Sequence, residues 1–152
     1  VKNVLASRHC YRRELSMIVT LGNHYLAFVL DDDCRKRYLG LYTKSHPVQV
    51  CHHVTLAYNF TQEDLPRLQA LVDSNPSFEL NCLILSDTID FFRVLVNKRL
   101  LETDSSYTHL TYTRKASARN SDSNRVFKGE LEHTGMLSAG GVLTGSFQLL
   151  PK

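Results

Sequence analysis

The chain has 152 residues, 43% of them hydrophobic and 22% charged, with a formal net charge of +3. That length can bury a core within one domain, and the balance is that of an ordinary globular protein. No run approaches the roughly 18 apolar residues of a membrane span, and the start does not resemble a secretory signal. The mild positive charge permits a polyanionic partner without requiring one. A start at "VKNVL" rather than at methionine is expected of a segment of a longer protein, and equally of processing or cloning.

Cys10, Cys34, Cys51 and Cys82 form no C-x-x-C pair and no disulfide framework, which fits a reduced, intracellular setting. Cys51, His52 and His53 all carry metal-ligand atoms. Three successive strand side chains alternate sides, however, so they are not expected to converge on one ion, and no metal or cofactor is expected. Basic residues cluster in "YRRE" (11–14), "RKR" (35–37), "NKR" (97–99) and "TRKASARNSDSNR" (113–125). Each cluster reads as a solvated face or as a phosphate contact, and composition does not choose.

The opening "KNVLASRHCYRRELSMIV" is ambiguous between helix and strand, and the role of residues 1–23 is left open. "HYLAFVL" (24–30) is a short aromatic and β-branched run stopped by "DDD", the pattern of a central strand. A basic stretch and "YLGLY" lead to a loop at Ser45, His46 and Pro47. "VQVCHHVTLAY" (48–58) is the next strand.

The spacing predicts a helix over 61–76, with Thr61 and Asp64 as a capping pair and Pro66 in the first turn. Leu65, Leu68, Leu71 and Val72 give it one apolar face, and Asn75-Pro76 ends it. "FELNCLILS" (78–86) and "IDFFRVLV" (89–96) read as a hairpin through Asp87 and Thr88. "THLTYT" (108–113) is a further strand, residues 117–125 form a polar loop, and "GVLTGSFQLL" (141–150) is the last strand. Strands joined by hairpin-length connections predict an α+β fold built on mostly antiparallel sheet.

Two of these strands carry the same polar pair. Alternate residues share a strand face, so His53 and Thr55 of "HVTL" project together while Val54 and Leu56 point the other way. His109 and Thr111 of "HLTY" do the same, with Leu110 and Tyr112 behind them. If the strands lie side by side, one cleft gains two imidazoles and two hydroxyls. That set suits phosphoryl chemistry. A neutral imidazole deprotonates water, a protonated one donates to the departing oxygen, and threonine hydroxyls hold the non-bridging oxygens. "GVLTGS" is not a phosphate loop, since it lacks the lysine and the following helix.

Two His-x-Thr strands in one small domain resemble the 2H phosphoesterase family, which is named for them. "HHVTLAYNF", a helix, "FELNCLIL", "RVLV", "HLTY" and a closing "VLTGSFQLL" also follow that family's order of elements over about residues 24–150. The chain looks most like the cyclic phosphodiesterase domains of tRNA ligases and of the myelin-type 2′,3′-cyclic-nucleotide phosphodiesterases. The resemblance implies one two-lobed domain over 1–152 with a central cleft and pseudo-twofold symmetry. It also implies RNA ends bearing a 2′,3′-cyclic phosphate as the substrate, opened to a 2′-phosphate in RNA repair or tRNA splicing.

Carried over, His53 and His109 are the acid–base pair, with His109 activating water and His53 protonating the 3′ oxygen. Thr55 and Thr111 are the phosphate ligands. Some relatives carry an arginine just before the second motif, where this chain has Tyr107 and Thr108. Further contacts are therefore sought at Tyr42, Lys44 and Arg114. His46 is weighed against an exposed loop histidine, Tyr58 against a core tyrosine, and His52 is expected to face away from His53 as a packing or surface histidine. Two other readings stay open: a 2′,5′-oligoadenylate phosphodiesterase of the same fold, and a non-catalytic RNA- or nucleotide-binding module.

Overall fold

A computed structural model describes residues 22–152; the ambiguous opening stretch lies outside them, as do all but the last two positions of residues 1–23. Among the described residues there are nine strands: β1 (His24–Leu30), β2 (Val48–Gln49), β3 (His53–Ala57), β4 (Phe78–Leu85), β5 (Ile89–Val96), β6 (Arg99–Leu100), β7 (His109–Arg114), β8 (Gly135–Ser138) and β9 (Gly145–Pro151). Three helices accompany them: α1 (Asp32–Leu41), α2 (Leu65–Asp73) and α3 (Asp122–Phe127). The strands form one sheet in the order β8-β4-β5-β7-β3-β1-β9, with β2 paired to β7 and β6 to β5. Every pairing is antiparallel, so the class is α+β on antiparallel sheet. No described helix is long and apolar enough to cross a membrane.

Chemistry on each strand decides which face the helices cover. Val54 and Leu110, both fully buried, belong to one core with Phe28, Leu80, Phe92 and Val94. Leu68 and Val72 of α2 and Cys34 and Tyr38 of α1 complete that core. Residues of opposite parity turn to the other face, where α3 packs through Val126 against Ile84, Ile89 and Phe91. His53, Thr55, His109 and Thr111 are on this second face.

Several elements differ from the sequence expectation. The segment after the first strand is helix α1, capped by the Asp31 carboxylate, which accepts from the Cys34 amide at 2.8 Å. Its apolar positions are too few to announce it, because only Cys34 and Tyr38 are buried. The expected strand 48–58 is broken. Cys51 takes a left-handed φ of 42°, separating β2 from β3. Its amide and that of Val50 still bond β7, to the Thr111 and Tyr112 carbonyls at 2.9 and 2.8 Å. Residues 122–127 of the expected polar loop are helix α3, and the last strand begins at Gly145.

The helix expected over 61–76 is a 3-10 turn, Gln62–Asp64, running into α2. The Asp64 carboxylate accepts from the Thr61 amide at 2.9 Å, as the capping pair implied. Asn75, at φ 51°, turns the chain out of the helix.

Gly145 faces Leu30 across the β1–β9 pairing, and a Cβ there would overlap the Val29 carbonyl. Backbone cannot yield as a side chain does. Gly145→Ala is therefore expected to lower stability by about 1–3 kcal/mol, read as a shift in the denaturant midpoint.

Candidate active site

The two motif strands meet at one point. β3 and β7 run antiparallel with Val54 opposite Leu110. That register sets His53 beside Thr111 and Thr55 beside His109, so each imidazole neighbours the other motif's hydroxyl. The local arrangement has twofold character about the Val54–Leu110 pair. All four side chains line a cleft of about 220 Å³, together with Tyr25, Val50, Tyr58, Thr103, Ser105, Asn120, Ser121 and Asn124.

The two histidines have different partners. His109 Nδ1 lies 2.7 Å from the Tyr107 carbonyl. A carbonyl only accepts, so the proton of neutral His109 is on Nδ1 and Nε2 keeps its lone pair. Burial lowers the His109 pKa, and the Tyr107 carbonyl partly opposes that. The ring packs against Phe91 and Phe127, with centroids 5.7 and 5.5 Å away. His53 sets Nε2 3.4 Å from the Tyr25 hydroxyl and Nδ1 2.9 Å from Nδ1 of His52. Burial first, then His52 and His109, pushes its pKa down to about 4.

The hydroxyls also differ. Thr111 is buried, its Oγ1 3.1 Å from the Ser123 hydroxyl and 3.4 Å from the Asn120 carbonyl. The Thr55 hydroxyl makes no such bond among the described residues and is the freer of the two for a ligand.

Loops build the walls. The Asp104 carboxylate accepts from the Tyr58 and Asn59 amides at 3.0 and 2.6 Å, pinning the segment that carries Thr103 and Ser105. The Ser106 hydroxyl donates to the Asn124 side chain and ties that segment to α3. Tyr25 and Tyr58 form an aromatic wall, their ring centroids 5.2 Å apart. Among the described residues, no lysine or arginine lines the cleft.

Of the further contacts expected from sequence, Tyr58 lines the cleft and the other four do not. The Tyr42 hydroxyl bonds the Gly140 carbonyl at 3.1 Å, and its ring packs on Phe92 in the helix-covered layer. Lys44 Nζ donates to the Leu39 carbonyl at 2.6 Å, at the end of α1. His46, far from an exposed loop histidine, sets Nε2 3.0 Å from the Ser86 carbonyl and 3.4 Å from the buried Asp90 carboxylate. Arg114 donates to the Asn120 side chain at 2.7 Å and to the Ala118 carbonyl at 3.0 Å, so it shapes the loop that presents Asn120.

His52 is a further correction. The break at Cys51 ends strand alternation, so its ring meets the His53 ring instead of facing away. The alternation argument against a three-ligand metal site therefore does not hold at this point of the chain. Cys51 is buried with its thiol pushed up to about 12, mainly by burial. Among the described residues no group of three His, Cys, Asp or Glu side chains is arranged to hold a metal.

Sequence reasoning missed Tyr25, Val50, Thr103, Ser105, Asn120, Ser121 and Asn124. Strand parity carries a signal for Tyr25, since Ala27 of the same strand is opposite Thr55. The loop residues have only their polarity as a signal. No family model, no curated protein and no solved structure matches this chain.

The buried imidazoles make stability depend on pH. Folding lowers the His53 pKa from 6.5 to about 4, so between those values the unfolded chain binds more protons. Stability is expected to be flat with respect to this group above about pH 6.5 and to fall as pH drops toward 4. Denaturant midpoints from pH 8 to 4 check this, and His53→Gln should flatten part of the acid-side loss.

Proposed function

We propose that this chain is a 2H phosphoesterase domain that hydrolyses 2′,3′-cyclic phosphate ends of RNA to 2′-phosphates. The observation that carries the reading is the convergence of His53, Thr55, His109 and Thr111 on one cleft through the antiparallel β3–β7 pairing. A two-lobed reading of the sheet is supported by that pairing having a single Cα partner pair, whereas β1 and β9 share seven. Free, buried Cys34, Cys51 and Cys82 agree with a reducing, intracellular compartment.

In this reading His109 is the base. Its Nε2 lone pair takes a proton from water as the oxygen attacks phosphorus. The bond from phosphorus to the 3′ oxygen breaks in line with that attack, and His53 delivers a proton to the departing oxygen. The products are a 2′-phosphomonoester and a free 3′ hydroxyl. Thr55 and Thr111 face the non-bridging oxygens, with the amide and hydroxyl groups of Thr103, Ser105, Asn120 and Asn124 around them. Neutral donors suit a substrate phosphate carrying one negative charge. Tyr25 and Tyr58 offer aromatic surface for a base. Both proton transfers belong to protein groups, so turnover persists in EDTA.

The test is an oligoribonucleotide ending in 2′,3′-cyclic phosphate, incubated with the protein and EDTA and followed by phosphorus NMR. A 2′-phosphate product is expected, with a bell-shaped pH dependence. His53→Ala and His109→Ala should each lower turnover by about two to four orders of magnitude with binding largely kept. Unchanged turnover in both variants contradicts the assignment. No conversion by the intact protein moves the assignment to 2′,5′-oligoadenylate, the next substrate, or to a binding module.

A further inference from the structure

His53 poses a chemical difficulty. Burial and the neighbouring imidazoles hold the His53 pKa well below neutral, so at pH 7 its imidazolium is a minor form. A proton donor so rarely loaded is a poor acid. The neighbouring ring supplies a remedy that neither motif contains.

His52 Nδ1 is 2.9 Å from His53 Nδ1, within hydrogen-bonding distance, so one nitrogen donates and the other accepts. His53 Nε2 is turned to the cleft side, 3.4 Å from the Tyr25 hydroxyl. If His52 donates, neutral His53 must carry its proton on Nε2, the nitrogen that faces the substrate. His109 is held the opposite way, with its proton on Nδ1 at the Tyr107 carbonyl. The two cleft imidazoles then present one N–H and one lone pair while both are neutral.

We propose that His52 is the proton-supplying partner of His53, holding it in the Nε2–H form and carrying the positive charge on its behalf outside the cleft. The inference rests on the phosphodiesterase reading for its catalytic consequence and on geometry alone for the proton placement. The step balances without an imidazolate. As the bond from phosphorus to the 3′ oxygen breaks, the His53 Nε2 proton passes to that oxygen and the His52 Nδ1 proton passes to His53 Nδ1. His52 ends neutral and reloads from water.

The surroundings fit this division. His52 is exposed, whereas His53 is part-buried. Charge therefore costs less on His52. The groups facing the pair are Arg35 on α1, Tyr25 on β1 and His109 on β7. Partial desolvation and then Arg35 lower the His52 pKa, and a charge on His52 in turn lowers that of His53. Arg35 itself is tied down, donating to the Val50 and Gln49 carbonyls at 3.2 Å each. Charge on the exposed His52 ring disfavours a second charge on His53.

Two measurements test this. Nitrogen-15 NMR of the free wild-type protein at pH 7 should find the His53 proton on Nε2; a proton on Nδ1 instead overturns the proposal. His52→Ala should release that preference, and His52→Gln, whose amide can still donate, should restore it. In the kcat/KM profile, His52→Ala and His52→Gln should both move the alkaline limb to lower pH, with a loss at pH 7 of about tenfold per unit moved. An unmoved limb in His52→Ala overturns the relay. A wild-type protein without cyclic phosphodiesterase activity defeats the functional reading separately, and the NMR result still decides the proton placement.

Discussion

Val54 and Leu110 lie opposite each other at the centre of the sheet, and the cleft depends on that register. Both side chains are fully buried in the helix-covered core, so their neighbours at 53, 55, 109 and 111 must turn to the opposite face. A slip of one residue in either strand would bury an imidazole and a hydroxyl in an apolar layer and expose valine or leucine in their place. The cost of burying those polar groups without partners is several kcal/mol, far more than the pairing of one short strand supplies. Core packing and site geometry are therefore enforced by the same contact. Because the strands are antiparallel, the register also crosses the motifs, giving each histidine the other strand's threonine.

Proton placement follows from what lies just outside the motifs. Tyr107 precedes His109 by two residues and offers a carbonyl, which fixes one tautomer. His52 precedes His53 by one and offers a ring, which allows the other. That second contact falls directly after Cys51, whose left-handed backbone interrupts strand alternation. An unusual backbone conformation beside a candidate site is where local strain and function commonly coincide. Burial then lowers the pKa of both cleft imidazoles, which favours a neutral donor–acceptor pair.

Strand parity made the four motif positions legible from sequence, because period-two alternation says which side chains share a face without reference to the rest of the chain. The apolar partners at 54 and 110 carried the same message. α2 was legible for a similar reason, with a capping pair, an early proline and an apolar stripe in agreement. The walls of the cleft were not. Asn120, Ser121 and Asn124 owe their position to the Arg114 clamp and to helix α3, and Thr103 and Ser105 to the Asp104 contacts with Tyr58 and Asn59. Those are long-range contacts among polar residues, for which sequence offers no period. Tyr42, Lys44, His46 and Arg114 were plausible by residue type, but each is consumed by a structural bond. His52 is at the surface, as one of its two readings had it, but its contact with His53 was not legible, because alternation stops at a break that no glycine or proline marks.

The central claim is that one phosphoryl group is held by residues from both motif strands at once. Titrating the isotopically labelled protein with a nucleoside 2′-monophosphate, and following backbone amides with the imidazole and threonine side-chain signals, tests it most directly. The account predicts that signals of His53, Thr55, His109 and Thr111 move together along one binding isotherm, with those of the Cys82 and Ile84 strand far less affected. Shifts confined to one motif strand, or centred on the basic segments away from the cleft, would contradict it.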